Sequence, residues 1–192
     1  MAILRGVSRW EPNARGRLQQ AALELFAERG FDETTVEEIA GRAGLTKRTF
    51  FRHFSDKREV LFDGNDEFTA RFVGGLAAAP ASAPPLEAIA ATLESVAGWF
   101  HNRRDFARRR QAVIVANAEL QERELVKLAS VAAALAAALR ERGVEEPQAS
   151  VLAETAVAIF RVAFERWVAS DRDLTELIHE SVDALRAVAA AT

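Results

Sequence analysis

Six basic side chains fall within residues 42–58 (Arg42, Lys47, Arg48, Arg52, Lys57 and Arg58) against a single acid, Asp56. His53 and the hydroxyls of Thr46 and Thr49 stand among them, and Thr35 just ahead. Cations and hydroxyls in one short stretch are groups that hold phosphates and read base edges. The same stretch carries Phe50, Phe51 and Phe54. In a helix Phe50 and Phe54, four residues apart, share one face. The charged residues then fall elsewhere around it. Segment 44–54, GLTKRTFFRHF, reads as a short helix anchored by aromatic rings and offering cations to DNA.

Other elements must hold that helix. A first helix is predicted from Pro12 to about Arg29, with Leu18, Ala22, Leu25 and Phe26 on one face and Gly30 after its end. Thr35-Val-Glu-Glu38 is a capping box that starts a second helix, Val36 to Ala43. Gly44 and Leu45 make a tight turn, and Thr46 caps the third helix. Two short helices joined through a glycine turn form a helix-turn-helix. Ser55 is expected to cap a fourth helix running to about Leu76. Residues 1–10 read as a flexible basic arm, in which Arg5 and Arg9 either enter a minor groove or belong to a disordered tail.

The segment AAAPASAPP (77–85) reads as a loop. Helical patterns resume over 86–102, 105–116, 118–142, 147–170 and 174–190. The expectation is an all-α fold of about nine helices. Its parts are the arm (1–10), a helix-turn-helix domain (11–57) and a ligand-binding and dimerisation domain (58–192).

The chain is 192 residues long with a net charge of −3. Residues 1–60 hold 11 Lys+Arg and 9 Asp+Glu, a balance of +2, and the remainder 14 and 19, a balance of −5. An acidic protein with one basic patch fits a nucleic-acid partner, because only the contact face must be positive. There is no cysteine, which excludes disulfides and thiolate chemistry and suits a reducing compartment. No apolar run suits a signal peptide or a membrane span, so a cytoplasmic protein without a membrane partner is expected. The three histidines are scattered, and no catalytic motif stands out. The expectation is no enzyme, no cofactor and no metal.

Residues 15–62, with AALELFAERGF, TTVEEIA, AGLTKRTFFRHF and SDKREVL in order, resemble the DNA-binding domain of the TetR/AcrR family of bacterial transcriptional regulators. The resemblance implies a homodimer, a double-stranded and palindromic DNA operator, and repression relieved by a small-molecule ligand. Activation, or regulation without ligand, is the alternative use of the same head; a helical binding protein or enzyme is the remote one. By position, the resemblance gives Thr35 and Thr46 phosphate contacts. Lys47, Arg48 and Thr49 read base edges, and His53 and Lys57 bind the backbone. The family often has tyrosine where this chain has Phe51, which cannot donate to phosphate. Phe51 packs instead on a sugar or a thymine methyl, with Arg52 as the compensating donor.

In the second half, Phe72, Trp99, Phe100, Val113, Phe160 and Phe164 are the candidate lining of an apolar ligand pocket. Gly98 is a kink, room for ligand, or a close helix contact. Arg103, Arg104, Arg108, Arg109 and Arg110 read either as solvated helix ends with local ion pairs or as a mouth for an anionic, acyl-CoA-like effector. Asn117 is expected to cap the following helix. Leu174, Leu177, Ile178, Val182 and Leu185 form a wide apolar stripe, and Thr155, Ala158 and Val162 a small-residue face. Together they predict a four-helix dimer bundle.

Overall fold

The computed structural model describes residues 13–191, so the arm and Pro12 lie outside the described residues. Among the described residues all regular structure is helical, and the fold is all-α. The chain divides into two compact units between Asp63 and Gly64.

The first unit holds α1 (Ala14–Arg29), α2 (Val36–Arg42), α3 (Lys47–His53) and the single turn α4 (Glu59–Phe62). Asn13 opens α1 by accepting from the Gly16 amide at 3.0 Å. At α2 the capping box is formed. Thr35 Oγ1 accepts from the Glu38 amide at 3.3 Å, and the Glu38 carboxylate accepts from the Thr35 amide at 2.9 Å. The end of α2 sets the turn. Leu45 N donates to Ala40 O at 2.8 Å and Gly44 N to Gly41 O at 3.0 Å. This is a Schellman ending, and Gly44 takes the left-handed φ of 66° that it requires. Thr46 then caps α3, accepting from the Thr49 amide at 3.1 Å.

The expected fourth helix is divided in two, which brings the described helices to ten. Asp56, not Ser55, starts α4, accepting from the amides of Arg58 at 2.8 Å and Glu59 at 3.2 Å. Gly64 has φ 85°, a left-handed conformation that no helix interior tolerates, so α5 begins anew after it. Asp63 is tied to α1 by Gln19 Nε2 at 3.0 Å and by Arg15. Val60, Leu61 and Phe62 are all buried, and α4 packs on α1. The unit boundary therefore falls at 63/64 rather than at the expected 57/58.

The second unit holds α5 (Asn65–Ala78), α6 (Pro85–Trp99), α7 (Arg104–Val115), α8 (Ala118–Glu141), α9 (Gln148–Val168) and α10 (Leu174–Ala190). α5 packs between α6 and α8, and α9 packs on α6, α8 and α10 around one core. The proline segment is the α5–α6 turn. Arg142 clamps it by donating to Leu76 O and Ala79 O, each at 3.1 Å, and to Pro80 O at 2.7 Å. Gly98 makes no close helix contact, since a Cβ there would meet nothing within 4 Å. Asn117 does not cap α8; its amide turns back and donates to Val113 O at 2.6 Å.

The α10 stripe is corrected most. Leu174, Leu177, Ile178 and Val182 are at most 2 % exposed and belong to the chain's own core, with Leu185 packed against it. α10 lays this stripe on α6 and α9 of the same chain. Val188 near the end of α10 stays exposed at 69 %, as does the other side of α9: Val151 at 61 % and Val162 at 45 % exposure, Ala158 exposed and Thr155 half-exposed.

Candidate nucleic-acid interface and ligand domain

The α3 helix is anchored as its spacing requires. Phe50 is fully buried and Phe54 nearly so, with ring centroids 5.5 Å apart. Around the remaining surface stand Lys47, Arg48, Phe51 and Arg52, all exposed, with Thr49 half-buried. Arg48 and Arg52 make no hydrogen bond or ion pair with any described residue. Lys47 is held by the Glu37 carboxylate and lies 5.9 Å from the Phe51 ring centroid. The Lys47 hydrogen bond keeps the Glu37 carboxyl below its ordinary range. Phe51 is 49 % exposed, an unusual position for a phenylalanine without a partner. Thr35 and Thr46 lie at the exposed starts of α2 and α3, where free backbone amides and the helix dipole favour an anion.

Two expected backbone contacts do not present themselves to a ligand. Lys57 Nζ donates to the carbonyls of Phe31 at 2.7 Å, Asp32 at 3.1 Å and Thr34 at 3.2 Å. Its ammonium also sits 4.4 Å from the Phe31 ring centroid. All three donors are used, so Lys57 is a strut of the α1–α2 loop. His53 has its Nε2 buried, with no hydrogen-bond partner among the described residues. Loop carbonyls converging on one lysine leave no trace in residue types, which is why sequence reasoning missed this role.

In the second unit, the predicted aromatic residues do come together. Phe72 meets Phe160 at 5.5 Å, Phe100 meets Trp99 at 4.9 Å, and Phe100 and Phe160 both meet Phe164. Phe68 lies at the centre, in contact with Phe72, Trp99, Phe100 and Phe160. Val113 is buried on α7 but stands outside this core cluster.

The arginine run is mostly absorbed by structure. Arg108 caps the end of α9, donating to Val168 O at 2.8 Å and Ser170 O at 2.5 Å, and Arg104 donates to Arg172 O. Arg109 returns to Asp105 O at 3.3 Å. Arg110 donates to Glu124 at 2.6 Å, and Glu124 also accepts from Lys127 at 3.1 Å. Burial pushes the Glu124 carboxyl up, but the two cations outweigh it and hold it at about 2. Arg103 stacks on Trp99 at 4.1 Å. The i, i+3 spacing of Glu124 and Lys127 is legible in sequence, but the arrival of Arg110 from α7 is not. No group of acids and histidines suited to a metal ion occurs among the described residues. No described helix is long and apolar enough to cross a membrane.

Comparison with known proteins agrees with this division. Residues 18–63 match the family model for bacterial regulatory proteins of the tetR family, and residues 83–190 match the model for the MftR C-terminal domain. The transcriptional regulator TcmR of Streptomyces glaucescens is 39 % identical over 84 residues, 44 % of this chain but only 37 % of that relative. MftR of Mycobacterium tuberculosis, named for mycofactocin biosynthesis, is 25 % identical over 174 residues, 88 % of each chain. Among solved structures, Thermus thermophilus FadR in complex with lauroyl-CoA is 26 % identical with a TM-score of 0.57, over 89 % of this chain and 92 % of that one. The chain belongs to the TetR family of bacterial transcriptional regulators, with a helix-turn-helix DNA-binding head and a ligand-binding domain of the MftR C-terminal type.

Proposed function

We propose that the protein is a homodimeric repressor released from a palindromic operator by a hydrophobic or amphipathic small molecule. The observation that carries the DNA contacts is the pair Arg48 and Arg52, exposed and unengaged on a helix whose other face is locked by Phe50 and Phe54. Arg48, with Lys47 and Thr49, reads base edges in the major groove. Thr35, Thr46 and Arg52 position the head on phosphates, and Phe51 packs on a sugar or thymine methyl. Lys57 and His53 are not in this set.

The dimer face is the uncovered side of α9, from Val151 through Ala158 to Val162. Small and β-branched residues there let two helices approach closely. Two copies related by a two-fold axis would place their recognition helices in successive major grooves, ~34 Å apart. Ligand among the aromatic rings of the second unit would favour a state with lower operator affinity; coupling of ~1–3 kcal/mol would weaken DNA binding ~5–150-fold. FadR's complex with lauroyl-CoA makes acyl thioesters the first effectors to try.

Fluorescence anisotropy with DNA from upstream of the protein's own gene tests this reading. Sequence-selective binding that is reversed by an acyl-chain ligand supports it. Equal binding to a scrambled sequence contradicts it.

A further inference from the structure

Two guanidiniums lie against the Trp99 ring, with Arg71 Cζ at 4.9 Å and Arg103 Cζ at 4.1 Å from its centroid. Two N–H groups of this stack, Trp99 Nε1 and Arg71 Nε, are buried and have no acceptor among the described residues. Such donors have given up water with nothing in return, and in native proteins they call for an explanation. Trp99 is also the edge of the aromatic cluster, touching Phe68 and Phe100. On Phe68 sits a third cation, Lys127 Nζ, 4.4 Å from the ring centroid.

Charge along this edge is unbalanced. Glu67 accepts from Arg71 at 2.5 Å, and Glu124 serves both Arg110 and Lys127. Among the groups named here, the cations Arg71, Arg103, Arg110 and Lys127 outnumber the carboxylates Glu67 and Glu124. Lys127 is largely buried here. Burial, then Arg110, push its ammonium down to about 8 against the pull of Glu124, and Arg123 adds to the repulsion.

An oxyanion answers both deficits at once, and a neutral or cationic group answers neither. Resting on the reading that this domain binds a ligand, we propose that the Arg71–Trp99–Arg103 stack is the head-group site for an anionic amphiphile. A carboxylate or phosphate oxygen accepts from Trp99 Nε1 and Arg71 Nε. Arg103 and Lys127 supply the counter-charge. The alkyl chain parts the rings of Phe68, Phe100 and Phe160, which now pack on one another at 5.6–6.4 Å.

Isothermal titration of the full-length protein tests this with four twelve-carbon probes below their micelle concentrations: dodecanoate, dodecyl phosphate, dodecan-1-ol and dodecylammonium. At least one anion is expected to bind about tenfold or more tighter than the alcohol, with the ammonium weakest, as charge-assisted bonds to buried donors require. The stronger of the two anions tells whether the site takes carboxylate or phosphate. Trp99→Phe keeps a ring and removes the donor. It should cut the preference for the anion over the alcohol about tenfold, as should Lys127→Met. Alcohol binding by each variant also reports that the domain is folded. Equal affinity of the unaltered protein for anions and alcohol would overturn the head-group site and leave the apolar-ligand reading standing. No binding of any probe would overturn both.

Discussion

At the level of single residues, each cation near α3 acts according to what already holds it. Arg48 is uncommitted, and Arg48→Ala should cost about 1–3 kcal/mol of specific DNA binding and relax preference at one base position. Competition titrations against operator variants would read it. Lys47 must leave Glu37 to reach DNA. Glu37→Gln should therefore raise DNA affinity about two- to fivefold, measured at low salt, where surface pairs matter most. Lys57 behaves in the opposite sense. Lys57→Met breaks three bonds to carbonyls and should lower the unfolding free energy by about 2 kcal/mol. The salt dependence of DNA binding should keep the wild-type slope, whereas a phosphate contact would flatten it. All three are basic residues or their partners within one motif, and the sequence reading gave both Lys47 and Lys57 contacts with DNA, to base edges and to backbone respectively. The difference lies in Glu37 and in the 31–34 loop carbonyls, which only the fold brings to them.

Elements were more legible than side-chain destinations. Caps and periodicity write themselves locally, so Thr35, Glu38, Gly44 and Thr46 mark α2 and α3 directly, and the helices after residue 85 follow their apolar spacing. The apolar spacing of Leu61, Phe68 and Phe72 runs across the α4–α5 break and masks the turn-type dipeptide at Asp63-Gly64. The left-handed φ of Gly64 comes from tying Asp63 to α1. The α10 stripe misled for a related reason. An apolar face says that something covers it, not whether the cover is the same chain. Acid tests one link between elements, the bridge from Arg110 on α7 to Glu124 on α8. The Glu124 carboxyl has its pKa lowered on folding, from 4.5 to about 2. Stability from this group is complete above pH 4.5, and the unfolded state binds the extra proton as pH falls below that, so it is lost progressively down to about pH 2. In chemical denaturation at pH 5 and pH 3, Glu124→Gln should lose less stability between the two than the parent protein does.

For the whole molecule, the proposed function requires two copies acting together. Val162 is 45 % exposed in one chain, so Val162→Glu should leave the helical fold intact and shift sedimentation from dimer to monomer. Leu177 is fully buried, so Leu177→Ala should instead cost about 2–5 kcal/mol of stability whatever the oligomeric state. That contrast separates the exposed α9 face from the stripe that α10 keeps for its own core.

The measurement that bears most directly on the central claim is an anisotropy titration of the parent protein and Arg48→Ala into upstream DNA and a scrambled control, at two salt concentrations. The account predicts selective, salt-weakened binding by the parent and loss of the selectivity in the variant, with helical content unchanged. Equal affinity of parent and variant for the selected sequence would contradict the placement of α3 in the major groove.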